Sequence, residues 1–247
     1  MKKNFAIVAI FLVLYSVFVI ALMPASWLIG QIKLPKNVAV AGIEGSIWQT
    51  KISQVMVDDT LLNQVHSSLS LFSVLMLDPK LNITFGNALV NGPEGQLSVS
   101  GLLAELTVEE AKINVPANMV TAKLNLPIDV VAHETLDINI ARFVAGSPIC
   151  SELIGDLQWR NAAVTALDEK VKLGKLSATL SCEQGELIAE VEPKNDLGLS
   201  YRAQIKKGGR FAGSGYLTPG TKFPEQLKGA LSFLGKADKQ GRYRLKI

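Results

Sequence analysis

The 247-residue sequence is poor in the residues that carry most protein chemistry: two histidines, two cysteines and no long run of one charge sign. His66 and His133 stand far apart with no cluster of other strong ligand types around them, so zinc-finger, HExxH and multi-histidine metal sites are excluded by counting. No P-loop, no G-x-G-x-x-G and no G-x-S-x-G elbow occurs, and Gly213-Ser214-Gly215 has the wrong spacing for one. Charged residues make up 19%, below the usual share of about 25%, which excludes disorder driven by low hydrophobicity and high net charge.

What the sequence does have is one long apolar run. Phe5 to Met23 reads FAIVAIFLVLYSVFVIALM, interrupted only by Ser16. As a helix it reaches about 28 Å, close to the roughly 30 Å of a bilayer's hydrocarbon core. A cleaved signal peptide is the competing reading. However, the run exceeds an h-region of about 7 to 15 residues, and no small-x-small site follows it. The expectation is an uncleaved anchor: a cytoplasmic tail over 1–4, a membrane span over 5–23, and a connector over 24–35. Lys2 and Lys3 hold the N-terminus inside, and Trp27 stands at interfacial depth. The rest of the chain is then exported.

Cys150 and Cys182 both fall in that exported part. In an oxidising compartment a disulfide between them is expected, against the alternative of two separately buried thiols.

The net charge of +3 hides an asymmetry. Residues 24–201 carry 12 basic and 20 acidic side chains, whereas residues 202–247 carry 11 basic and 2 acidic ones. Such a basic end can meet anionic headgroups or an acidic protein, or pair with the chain's own acidic body. Nucleic acid is not expected outside the cytoplasm. Lys206, Lys207, Arg210, Arg242 and Arg244 are the candidate interaction residues.

Beyond the connector, period-two alternation recurs at Val38/Val40, Leu81/Ile83/Phe85, Leu97/Val99, Leu124/Leu126/Ile128/Val130, Leu136/Ile138/Ile140, Leu176/Ala178/Leu180, Leu187/Ala189/Val191, Leu197/Leu199/Tyr201 and Tyr243/Leu245/Ile247. Turn signals such as Glu183-Gln184-Gly185 and Lys207-Gly208-Gly209 separate the runs, which predicts an antiparallel sheet. One helix is predicted over 224–234, with Pro224 in its first turn and Gly235 as its stop. Leu69 to Leu77 is apolar on all sides and reads equally as a strand or a short helix. A weak echo, Gly45-Ser46-Ile47-Trp48 against Gly155-Asp156-Leu157-Gln158-Trp159, suggests two related β modules over 36–145 and 146–247.

No catalytic constellation emerges. His66 reads as a solvent-facing strand residue and His133 as a turn residue. Asp58-Asp59 and Glu109-Glu110 are neighbours whose side chains point apart on a strand. Trp48 and Trp159 read as packing residues. The chain is expected not to be an enzyme, with no cofactor and no metal.

The ordered set Gly45-x-x-Trp48, Cys150-x-x-Leu153-x-Gly155-x-x-x-Trp159, Gly174-x-Leu176, Leu180-x-Cys182, Gly185, Gly215-x-Leu217-x-Pro219, Leu234-Gly235 and Gly241-Arg242-Tyr243 resembles the type II secretion system protein N family. The resemblance implies an accessory, single-pass inner-membrane component of the general secretion pathway, which moves folded proteins from the periplasm across the outer membrane. Its partners are then other components of the apparatus. It also implies a mainly β fold: one N-terminal transmembrane helix, then a curved antiparallel periplasmic sheet with one or two short helices, similar to the AsmA-like group. In that group a sheet can form an apolar groove for lipid, so the alternative function is a periplasmic lipid-binding or lipid-transfer module. Where the alternating apolar residues point separates the two: onto a second layer, or into an open groove.

Overall fold

The computed structural model describes residues 2–87, 89–101, 105–122, 130–166, 169–208 and 210–246, with side chains from residue 7. The chain forms two compact units, Met1–Gly92 and Pro93–Ile247. The 145/146 boundary suggested by the tryptophan echo therefore falls inside the second unit. The echo itself joins unlike places, since Trp48 lies in a hairpin turn and Trp159 in mid-strand.

In the first unit, α1 (Lys2–Ala21) and α2 (Ala25–Gln31) precede four strands: β1 (Val38–Ser46), β2 (Gln49–Val57), β3 (Thr60–Leu69) and β4 (Leu81–Phe85). These pair in sequence order, each antiparallel to the next. The β2–β3 turn is Asp58-Asp59, with Asp58 at φ +50°, a left-handed position that a short polar side chain tolerates. These carboxylates are thus exposed turn residues, and His66 is exposed on β3.

The predicted span is helical, and its described side chains are exposed on every side, from Ile7 at 58% to Ile20 at 50%. The start of the 5–23 run lies outside the described side chains. Among the described residues no helix is long and apolar enough to cross a membrane. The helix is tied to the sheet at its C-terminal end. Ile47 N–H donates to Met23 O at 3.1 Å, Trp48 Nε1–H donates to Ile20 O at 3.3 Å, and Pro24 bridges Ser46.

Between β3 and β4 the ambiguous apolar stretch resolves into a single helical turn, α3 (Leu71–Leu75). Ser70 caps it, its Oγ accepting from Ser73 N, the role for which a serine just ahead of an apolar run is suited.

The second unit holds β5 (Glu94–Ser100), β6 (Thr107–Pro116), α4 (Ala117–Thr121), β7 (Val130–His133), β8 (Thr135–Ala145), β9 (Cys150–Ala166), β10 (Glu169–Glu183), β11 (Glu186–Val191), β12 (Leu199–Lys206), β13 (Arg210–Leu217), α5 (Glu225–Lys228), a 3-10 helix (Gly229–Leu234) and β14 (Tyr243–Lys246). Its strands run β5-β6-β8-β9-β10-β11-β12-β13-β14, all antiparallel, and β7 takes up the far half of the 17-residue β9 after β8 leaves it. The expected alternation over 124–128 lies outside the described residues, as does Ile247. His133 ends β7 instead of lying in a turn, with its Nε2 2.7 Å from Thr165 Oγ1.

Bulges shape this sheet. One lies in β6 against β5, where Glu110 takes φ +52°; another lies in β8 against β9 between Ile140 and Arg142; a third lies in β10 around Gly174 at φ +82°. Each inserts a residue, bends the strand and reverses which face the following side chains meet. The Gly174 bulge is why Leu173 and Leu176, an odd number of positions apart, pack on the same core.

That core lies under the far halves of β9 and β10: Ala162, Val171, Leu173, Leu197 and Phe223 are buried, with Leu227 and Leu231 of the predicted 224–234 helix packed over them. The helix exists as one α turn continuing into a 3-10 turn. Beside it Ala117, Ala132 and Leu136 form a smaller cluster, and Trp159 touches both.

Candidate functional site

The near halves of the same strands carry an open apolar face among the described residues. Among the described residues sixteen side chains, all apolar, line a cavity of about 500 Å3 and come from eight strands, β5, β6 and β8 to β13. Leu97 on β5 and Phe211 on β13 reach the same cavity, so the sheet curves around it. The bulges make this possible. On β6, Val108 and Ala111 both face inward although three positions apart, and on β8 so do Ile140 and Phe143.

The reverse face is polar: Asn139 Nδ2 donates to Asp156 Oδ2 at 3.2 Å, and Gln158 Nε2 to the same oxygen at 3.3 Å. Glu109 is paired with Arg142 at 3.7 Å while Glu110 sits in the bulge, so these two carboxylates share no proton chemistry. Among the described residues no three metal-ligating side chains come together.

At one end the groove meets the basic turn. Ile205 and Phe211 are cross-strand partners, both lining the cavity and 40% and 41% exposed. The next pair out is Lys206 and Arg210, with Lys207 at the tip. None of these three cations is in an ion pair among the described residues.

The other basic candidates are placed differently. Arg242 is held by Asp238, its Nε donating to Oδ2 at 2.9 Å, and its guanidinium lies 4.4 Å from the Tyr216 ring centre. Arg244 is exposed on β14. Arg202 and Lys222 pair with the acidic body, Arg202 with Glu183 and Glu190 and Lys222 with Asp196. Part of the basic end is thus internally neutralised, while among the described residues the β12–β13 turn, like Lys236, Lys239, Arg244 and Lys246, is in no ion pair.

Two ionisable groups nearby are shifted. Hydrogen bonds from the Arg242 backbone N–H, with smaller help from its side chain and from Gln240 N–H, hold the Asp238 carboxyl below its ordinary value. Burial pushes the Tyr201 hydroxyl up, and that oxygen has no hydrogen-bond partner among the described residues.

Cys150 and Cys182 form the expected disulfide, spanning 32 positions. Cys150 is 1% exposed, and Gly185 O accepts from both Ile149 N and Cys150 N. Gly185 and Gln184 form the two-residue β10–β11 turn, both at positive φ, which is why a glycine follows the second cysteine at that distance.

The sequence reading missed much of the groove. Val108 and Phe143 fall out of phase with the rest of their strands because bulges at Glu110 and Ala141 interrupt the period, whereas Leu153, Ile205 and Phe211 lie on strands whose short alternations were not singled out. The one usable signal was the apolar pair flanking the Lys-Lys-Gly-Gly-Arg turn.

The family model described as type II secretion system (T2SS), protein N, matches residues 36–246. A type II secretion system protein N from Aeromonas hydrophila is 29% identical over 250 residues, covering 100% of this chain and 98% of the relative. One from Vibrio cholerae is 24% identical over 98% of this chain and 97% of the relative, and one from Pectobacterium carotovorum is 27% identical over 92% and 89%. No solved structure matches. With the family model spanning both units nearly to the end of the chain, the chain belongs to the type II secretion system protein N family.

Proposed function

We propose that the protein is a non-enzymatic, single-pass inner-membrane component of the type II secretion apparatus, with its N-terminus in the cytoplasm and both β units in the periplasm. The apolar run over 5–23 supports the anchor, and the disulfide suits an oxidising compartment. The observation that carries the interaction role is the cationic turn Lys206, Lys207 and Arg210, which projects between β12 and β13 and is in no ion pair among the described residues, whereas Arg202, Lys222 and Arg242 are paired. It meets an acidic surface on another secretion component.

Replacing Lys206, Lys207 and Arg210 together by Gln tests this. Association with the apparatus in detergent extracts should fall, and the wild-type association should weaken from 0.1 to 1 M salt as the Debye length shrinks from about 10 Å to about 3 Å. Association unchanged by both treatments overturns the reading. The anchor is tested by mass: protein isolated from membranes should retain its first 24 residues.

The groove favours a second reading, binding of an acyl chain. An apolar cavity of about 150 Å3 stays dry and takes a six-carbon ring, so the roughly 500 Å3 here suits a longer chain. The cationic turn beside Ile205 and Phe211 is placed to meet an anionic end group. Mass spectrometry of lipid carried by the natively purified protein tests it, with Ile205→Asp expected to abolish carriage.

A further inference from the structure

α3 has an inverted pattern of burial. In Leu71 to Leu77 the buried residue is Ser73, at 9% exposure, whereas Leu71, Phe72, Leu75, Met76 and Leu77 are 57%, 68%, 74%, 64% and 83% exposed. This is not a loose loop. Ser73 Oγ donates to Ser70 O at 2.7 Å and accepts from Lys80 N at 2.9 Å, Ser70 N donates to Lys80 O at 3.1 Å, and Asp78 N donates to Ser73 O at 3.0 Å. Leu77 takes φ +60°, an unusual place for a bulky side chain. The backbone is satisfied from within, and five large apolar side chains are presented outward, a surface that water does not favour.

The position of this surface identifies what covers it. Leu69 N donates to Trp48 O at 3.0 Å, and the indole of the same Trp48 donates to Ile20 O, near the C-terminal end of α1. α3 therefore begins two residues beyond a strand end that is one hydrogen-bonded step from the apolar helix. Trp27, 57% exposed on α2, and Leu22, 73% exposed, stand at the same end of the unit.

We propose that the β3–β4 connection is a second membrane contact: Phe72, Leu75, Met76 and Leu77 insert into the periplasmic leaflet beside the point where α1 leaves it, fixing the tilt of the first unit on the bilayer. This rests on the reading of α1 as a membrane anchor. The apolar faces of interfacial amphipathic helices lie about 5–10 Å into the headgroup and acyl boundary, the depth assigned to these side chains, and Lys80 at the segment's end stays outside it.

The test uses the full chain in vesicles of phosphatidylethanolamine and phosphatidylglycerol. The native cysteines are joined in the disulfide and no free thiol competes among the described residues, so an environment-sensitive dye can be attached in turn to Leu75→Cys, to Phe11→Cys in α1, and to Asp59→Cys in the opposite β2–β3 turn. Spin-labelled lipid should quench the dyes at 75 and 11 and leave that at 59 bright. Quenching at 11 without quenching at 75 overturns the second contact and leaves the anchor standing, the surface then belonging to a protein partner. No quenching at 11 removes the anchor and this proposal with it, and equal quenching at 59 shows adsorption without a specific contact. With the dye moved to Met76→Cys, the exposed pair Phe72→Ser and Leu75→Ser should abolish its quenching while that at 11 persists. Persistence at 76 overturns the proposal.

Discussion

Trp159 donates its indole N–H to the carbonyl oxygen of His133 at 2.9 Å, joining the middle of β9 to the end of β7. Its ring touches both core clusters, so this side chain ties the place where β9 changes partner from β8 to β7. Trp159→Phe keeps much of the packing and loses the hydrogen bond, at a cost of about 1 kcal/mol. Trp159→Ala opens a cavity at the junction and should cost about 3 kcal/mol or more. Urea denaturation followed by circular dichroism measures both, and a Phe variant as stable as the wild type would show that the bond contributes nothing.

The disulfide closes a loop of about 33 residues, for which the chain-entropy model gives roughly 3.5 to 4 kcal/mol. Cys182→Ala should lower the melting temperature accordingly and leave Cys150, which is 1% exposed, slow to alkylate until the protein unfolds. Cys150→Ala instead leaves the less buried Cys182, which should alkylate faster. Similar labelling rates in the two variants would contradict the burial asymmetry.

Tyr201 lies opposite Gly215, and its hydroxyl occupies the space a Cβ on Gly213 would need. Tyr201→Phe removes a buried hydroxyl without a described partner, so stability at pH 7 should hold or rise by up to about 1 kcal/mol. Because burial raises the Tyr201 pKa, the unfolded chain ionises first. Wild-type stability is therefore complete below pH 10 and falls as pH rises above it, and the Phe variant should lose that part of the alkaline decline. Gly213→Ala should be destabilising in the wild type and remain so beside Tyr201→Phe, because ring carbons Cζ and Cε1 would still lie 2.5 and 2.7 Å from the added Cβ.

Asp238 behaves in the opposite sense. Its carboxylate accepts from Gln240 N at 2.8 Å and from Arg242 N at 2.9 Å, and its pKa is lowered from 3.8. Its contribution is present above that value and is lost as pH falls through the lower folded one. The Arg242 amide resonance should shift only in that acid range, and Asp238→Asn should abolish the shift.

Arg202 spans Glu183 and Glu190 on the sheet surface. Arg202→Gln should cost less than about 1 kcal/mol, and less still in high salt, as exposed pairs do. Thermal melts at two ionic strengths decide it.

The apolar helix, the antiparallel β character, the helix over 224–234 and the cysteine pair were determined by local features: composition, period, turn residues and the number of cysteines. Each depends on side chains close in sequence, or on a count. The bulges at Glu110, Ala141 and Gly174 could not be read that way, because an inserted residue changes which face later side chains meet and only the register of the neighbouring strand reveals it. The same limit applied to the groove, whose lining is collected from eight strands by curvature, and to the basic end, where only cross-strand neighbours distinguish the neutralised Arg202 from the free Lys206, Lys207 and Arg210. α3 shows the division most plainly. Its apolar sequence was compatible with burial or exposure, and the tertiary fold, by turning Ser73 inward to satisfy the backbone, left the leucines, Phe72 and Met76 outside.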